Sequence, residues 1–267
     1  MSIPAEGQKG PVCIVVMGVS GTGKSTLGTA LSQSLSLPYI EGDDLHPPSN
    51  IAKMSQGTPL DDADREPWLR LIRRRVEESV AGQIREGGSG DGVKGGEGGG
   101  DEKLKGVIVG CSSLKRYYRD ILRGLAVSPK PDNGEAAHSP PPESLRDASP
   151  ATLAAAATSP PCRASPNPTA PSTPKIQTFF AFISGPPALL YARMEARPGH
   201  FMKASMLDSQ LAVLEDPTMT GEEGVIQVSI EDATEVQVEK VREGVSGSGV
   251  GFGVIRTERE AEAYPRS

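Results

Sequence analysis

Apolar and polar positions along the chain form short β-branched runs that alternate with stretches of helical period. Val12–Met17 is continuously apolar, as a strand buried on both faces should be. Lys24–Leu35 follows, with Leu27, Ala30, Leu31 and Leu35 on one helical face. Further strands are predicted over Leu37–Ile40, Gly106–Cys111, Thr178–Ile183 and Val225–Ile230. A helix is predicted through Asn50–Met54, with Pro47 and Pro48 suited to its first turn. Others are predicted over Leu69–Ile84, Ser112–Arg123, Pro187–Arg197, Lys203–Leu214 and Ala233–Glu243. Strands alternating with helices imply an α/β fold, a parallel sheet with helices on both faces. Ligands of such sheets bind beyond the carboxyl ends of the strands. Asp43, Cys111–Lys115 and the residues from Ser184 onward all follow strand ends, so they share one rim.

Between the first strand and the first helix stands Gly18-Val-Ser-Gly-Thr-Gly23-Lys24-Ser25, a G-x-x-x-x-G-K-S P-loop. Its glycines let successive backbone N–H groups converge on phosphate, and the helix N-terminus adds positive potential. Gly18, Ser20, Gly21, Thr22, Gly23, Lys24, Ser25 and Thr26 are the candidate nucleotide contacts. Lys24 is placed to reach the β- and γ-phosphates, and the Ser25 hydroxyl to hold Mg²⁺. ATP and Mg²⁺ are the cofactors this implies.

Composition trims the folded part of the 267 residues. Residues 87–100 carry nine glycines in fourteen, and residues 128–174 hold twelve of the twenty-four prolines. Neither stretch can bury enough apolar surface to offset the entropy of ordering it. The sequence therefore predicts one domain with a core of about 11–86, 104–123 and 176–245. A glycine-rich loop (87–103), a Pro/Ser/Ala-rich insert (124–175) and a loose tail (246–267) complete it. A net charge of −6 argues against a general nucleic-acid-binding surface. Three cysteines, Cys13, Cys111 and Cys162, cannot all pair, and a reduced compartment is the simpler reading. No signal-peptide core and no run of transmembrane length is present, so the expectation is a cytoplasmic protein without membrane contact.

Phosphoryl transfer needs a metal, positive charge around the moving group, and an acceptor for the attacking hydroxyl's proton. Asp43, at a strand terminus beside the P-loop, can accept that proton or bind Mg²⁺ through water; it can also merely close the strand as an Asx turn. Lys115 and Arg119 are four apart on a predicted helix and can clamp an anionic group, or line a solvated face. Arg193 and Arg197 share that spacing just before Pro198-Gly199-His200; they suit a mobile lid, or form a plain surface pair, which spacing by itself favours. Arg65 can grip a carboxylate or phosphate, or only pair with Asp61 or Asp62. His46 and His200 can donate to a substrate oxygen, though a lone histidine is more often structural or merely exposed.

Three stretches resemble the P-loop gluconokinases of the thermoresistant type: Gly42–Leu69, Cys111–Arg123, and Arg193–Met202 continuing through Leu207–Gln210 and Leu214–Pro217. The resemblance implies ATP-dependent phosphorylation of D-gluconate at its 6-hydroxyl, giving 6-phosphogluconate for the pentose phosphate route. It implies a nucleoside-monophosphate-kinase-like fold, with a five-stranded parallel sheet of order 2-3-1-4-5 and a helical lid. It makes Asp43 the base, and His46, Arg65, Lys115, Arg119, His200 and Gln210 gluconate contacts. It makes Arg193 and Arg197 lid arginines for ATP. The family's common dimeric state comes with it. Set against this reading are a shikimate or nucleotide kinase on the same scaffold, and an inactive nucleotide-binding protein whose insert recruits partners. Leu45-His46-Pro47 and Gly199-His200-Phe201 speak against the first, and the intact Lys24, Ser25 and Asp43 against the second.

Overall fold

The computed structural model describes residues 10–88, 104–125, 175–196 and 204–248. Five strands form one sheet: β1 (Val12–Met17), β2 (Tyr39–Glu41), β3 (Gly106–Gly110), β4 (Gln177–Ser184) and β5 (Val225–Ser229). Their order is β2-β3-β1-β4-β5 and every pairing is parallel. This is the order expected of the fold. The helices are α1 (Lys24–Leu35), α2 (Pro48–Ser55), α3 (Asp62–Gly88), α4 (Arg116–Arg123), α5 (Pro187–Glu195), α6 (Ala204–Val213) and α7 (Thr234–Gly247).

Alternation along β1 explains the two-sided packing. Val12, Ile14 and Val16 face a core shared with Leu27 and Leu31 of α1 and with Val241 and Val245 of α7. Cys13, Val15 and Met17 face the other core, built on Leu69, Ile72 and Val76 of α3 and Tyr118 and Leu122 of α4. The central strand is thus wholly buried, which is why it reads as an unbroken apolar run.

Two helices begin elsewhere than their periodicity predicts. α3 starts at Asp62 rather than at Leu69. Asp64 donates its N–H to the Asp61 carboxylate at 2.8 Å, and Asp61 donates its own to the Asp64 carboxylate at 3.1 Å. The aspartates form a reciprocal cap, and the helix carries Pro67 within it. α4 starts at Arg116, not Ser112. Ser113 takes φ 48°, the left-handed region, so Cys111–Lys115 is a loop. The glycine-rich stretch, the proline-rich insert and the tail lie almost wholly outside the described residues. The described residues belong to one unit, 1–127 with 173–267. Among them, no helix is long and apolar enough to cross a membrane.

Candidate active site

The carboxyl ends of β1 and β2 frame a cavity of about 350 Å³. Ser20, Gly21, Gly23, Lys24, Ser25 and Thr26 line one side; Glu41, Asp43, Arg193 and Met194 line the other. The P-loop backbone takes positive φ at Gly18, Gly21 and Gly23, so the spacing of the motif's glycines is a conformational requirement. Gly23 then caps α1. Thr22 donates its hydroxyl to the Val19 carbonyl at 2.9 Å, and Lys24 donates from Nζ to the same oxygen at 3.0 Å. The loop is therefore braced from inside, with its lysine across its mouth.

Glu41 is a functional candidate that sequence reasoning missed. It accepts the Ser25 hydroxyl at 2.6 Å and the Tyr39 hydroxyl at 2.7 Å. A run ending Glu41-Gly42-Asp43 at a strand terminus was the available signal, since both carboxylates line the cavity. Gly42 lets this turn lie against the end of β3, where a Cβ would collide with the Gly110 carbonyl. Burial holds the Asp43 carboxyl above its ordinary range, and the nearby Lys24 charge pulls the other way. A carboxyl raised in this way holds a proton more readily than a free one. Ser25, Glu41 and Asp43 offer hard oxygen donors beside the phosphate cradle, which suits Mg²⁺. Among the described residues no group of three or more His, Cys, Asp or Glu could hold a metal by itself. A cation here would share its coordination with phosphate and water.

A second cluster adjoins Asp43. His46 closes the same turn, its backbone N–H donating to the Asp43 carbonyl at 3.3 Å. Its ring stacks on Trp68 at 4.0 Å, and the Trp68 indole donates to the Gly42 carbonyl at 2.8 Å. Burial, aided by the Arg65 charge, lowers the imidazole pKa from 6.5 to about 4, so the ring is neutral at pH 7. Arg65 donates to the Tyr118 hydroxyl at 3.3 Å. Lys115 donates to both oxygens of Asp62 at 2.7 Å, and Tyr118 donates to the same carboxylate. Burial pushes Asp62 up, but these donors hold its carboxyl below the usual range.

The structure separates Lys115 from Arg119. Lys115 caps α4 and turns to Asp62, so the two do not form a clamp. Arg119 is fully buried. It donates from Nε and Nη2 to Glu222 at 2.9 and 2.5 Å, and from Nη1 to the carbonyls of Ser113 and Leu114 at 3.0 and 3.1 Å. With those donors spent inside the fold, Arg119 supports the loop that carries Lys115 instead of touching substrate. Gln210 reaches the P-loop: its side-chain oxygen accepts the Ser20 N–H at 2.7 Å. Arg193 lines the cavity and donates to the Ile230 carbonyl at 2.8 Å. Arg197 and His200 lie outside the described residues.

Comparison with known proteins agrees with this geometry. No protein-family model matches the chain. It is 34% identical over 226 residues to a probable gluconokinase of Schizosaccharomyces pombe, covering 85% of this chain and 83% of that one. It is 35% identical over 231 residues to the gluconokinase of Gluconobacter oxydans, covering 86% and 89%. Among solved structures, a gluconokinase from Sinorhizobium meliloti superposes with a TM-score of 0.56 at 32% identity, covering 90% of this chain and 95% of that one. With its P-loop and its parallel sheet of order β2-β3-β1-β4-β5, the chain belongs to the gluconokinase family of P-loop kinases.

Proposed function

We propose that this chain transfers the γ-phosphoryl group of ATP to the 6-hydroxyl of D-gluconate. The observation that carries the reading is one continuous turn, Glu41–His46, that presents Asp43 to the phosphate cavity and His46 toward the Arg65 and Lys115 cluster. A short polyol acid spans such a site, its carboxylate drawn to the cations and its far hydroxyl reaching Asp43. Asp43 accepts the hydroxyl proton as the oxygen attacks. Lys24 and Arg193 offset charge on the transferring group. Ser25 and Glu41 are the groups that would hold Mg²⁺ with the nucleotide, and the bound cation would supply charge neutralisation at the phosphates. Buried donors left unpaired by an acceptor lacking the right hydroxyls provide selectivity.

A coupled ADP-release assay tests this. ADP release should require gluconate and vanish in Lys24→Ala. ATP binding without gluconate-dependent turnover would overturn the proposal.

A further inference from the structure

We propose that Asn50 is a positioning residue that fixes His46 as the Nε2–H tautomer, making this ring a hydrogen-bond donor to an oxygen of the sugar acid. The inference rests on the reading that gluconate is the acceptor.

The Asn50 amide has only one workable orientation. Asn50 lies in the first turn of α2 and is 2% exposed. Its Nδ2 donates to the Asp64 carbonyl at 2.9 Å. Turned over, the amide would set its own oxygen against that carbonyl, acceptor against acceptor, in a buried place. The same Nδ2 lies 3.4 Å from Nδ1 of His46. Its second hydrogen must meet a lone pair there, because an Nδ1–H would point a donor at a donor. A neutral imidazole carries one N–H, so it falls on Nε2.

The Asp64 carboxylate is occupied by Lys53 at 2.6 and 2.7 Å and by the Asp61 N–H, so it does not compete for an imidazole proton. The Asn50 amide also stands against an imidazolium, which would carry an Nδ1–H and point a donor at a donor. Trp68 stacks on the ring face with planes 16° apart, which holds the plane of the ring. Among the described residues Nε2 has no protein partner, and it is not among the sealed-in polar atoms that lack one. The outward edge is therefore a reachable donor with no acceptor capacity. It selects a ligand that presents a lone pair there, a hydroxyl or carboxylate oxygen, and is left unpaired by one that does not.

The test reads the ring directly. Long-range ¹H–¹⁵N spectra of the full chain with labelled histidine, without substrate, should show His46 neutral at pH 7 with Nε2 protonated and Nδ1 bare; His46→Gln assigns the signal by its loss. In Asn50→Asp the new carboxylate accepts a proton, so the ring should gain an Nδ1–H. The KM for gluconate should rise about tenfold, the loss of about one hydrogen bond, with the KM for ATP unchanged. Because that variant sets a carboxylate against the Asp64 carbonyl and could fail to fold, a second pair decides independently. Glutamine at 46 can carry an N–H to the Nε2 position and asparagine cannot. His46→Gln should hold the gluconate KM within about fivefold, and His46→Asn should raise it more than tenfold. An Nδ1–H or an imidazolium in the wild type at pH 7 would overturn the assignment, as would glutamine performing no better than asparagine. The spectrum needs no substrate, so it separates an error in the tautomer from an error in the choice of gluconate.

Discussion

Arg119 and Glu222 lie 103 residues apart and meet in a two-pronged ion pair in which neither side chain is more than 2% exposed. Glu222 also holds Arg123 at 3.0 Å, and Arg119 grips the carbonyls of Ser113 and Leu114. The pair ties the turn before β5 to the loop after β3. Removing one partner leaves a buried charge alone, so Arg119→Ala should cost about 3–5 kcal/mol in denaturant unfolding. Replacing both by methionine removes the orphan charge and should recover part of that loss. It does not restore a grip on the two carbonyls. The gluconate KM should therefore stay raised in the double variant while its stability improves. Parallel recovery of both would show that the pair only stabilises.

The same carboxylate gives a pH signature. Burial pushes Glu222 up, but hydrogen bonds from Arg119 and Thr220 and the charge of Arg119 outweigh it and hold the group at about 2, against 4.5 ordinarily. An acid depressed by folding stabilises fully above its unfolded value, and that contribution fades as pH falls toward the folded one. The stability gap between wild type and Glu222→Gln should be constant above pH 4.5 and shrink between pH 4.5 and 2. Urea titrations at stepped pH measure it, and a gap that widens on acidification would contradict the ion-pair account.

Gln210 spans from α6 to the P-loop through the Ser20 N–H. Gln210→Ala should loosen the nucleotide cradle and raise the ATP KM about fivefold, the worth of one hydrogen bond of about 1 kcal/mol. The gluconate KM should move less. An effect confined to gluconate would place Gln210 on the acceptor side, as the resemblance implies.

Some of these links are legible in the sequence and others are not. β1, the P-loop and α1 stand where the pattern puts them, because a buried central strand must be apolar throughout and the loop's glycines must take positive φ. The start of α3 was hidden because Asp61 and Asp64 cap each other, a relation that reads as a polar loop until the chain is folded. Arg119 was misassigned because helical spacing puts it beside Lys115, whereas its partner comes from a turn far along the chain. Glu41 was missed because its significance lies in the Ser25 hydroxyl it faces, on another element. Local chemistry is written locally; partnership across the sheet is not.

On the proposed mechanism Asp43 takes the hydroxyl proton, so Asp43→Asn should lower kcat by about 10²–10⁴ while ATP binding changes little. The base works ionised, so activity falls as pH drops through its pKa, which burial has moved above the ordinary 3.8. The acid limb of the kcat/KM profile should disappear from the residual activity of the asparagine variant. Because His46 is already neutral well above pH 4, that limb should survive in His46→Gln. Persistence of the limb in Asp43→Asn would assign it to another group.

The proline-rich insert leaves and re-enters the described fold at one place. Leu125 and Lys175 both line a surface pocket with Ile176 and Gln177, at the amino end of β4 and away from the phosphate cavity. Deleting residues 128–172 keeps Ala126, Val127, Thr173 and Pro174 to bridge the two ends. Every strand and helix of the sheet belongs to the unit that remains. Closing a long loop costs only about 0.6 kcal/mol per doubling of its length, so shortening it should leave the melting transition as sharp and no lower than before. Gluconate-dependent turnover should persist, since no residue lining the phosphate cavity is removed. A broadened or lost transition would show that the insert is part of the folded unit. Intact folding with a changed gluconate KM would show that it reaches the acceptor side.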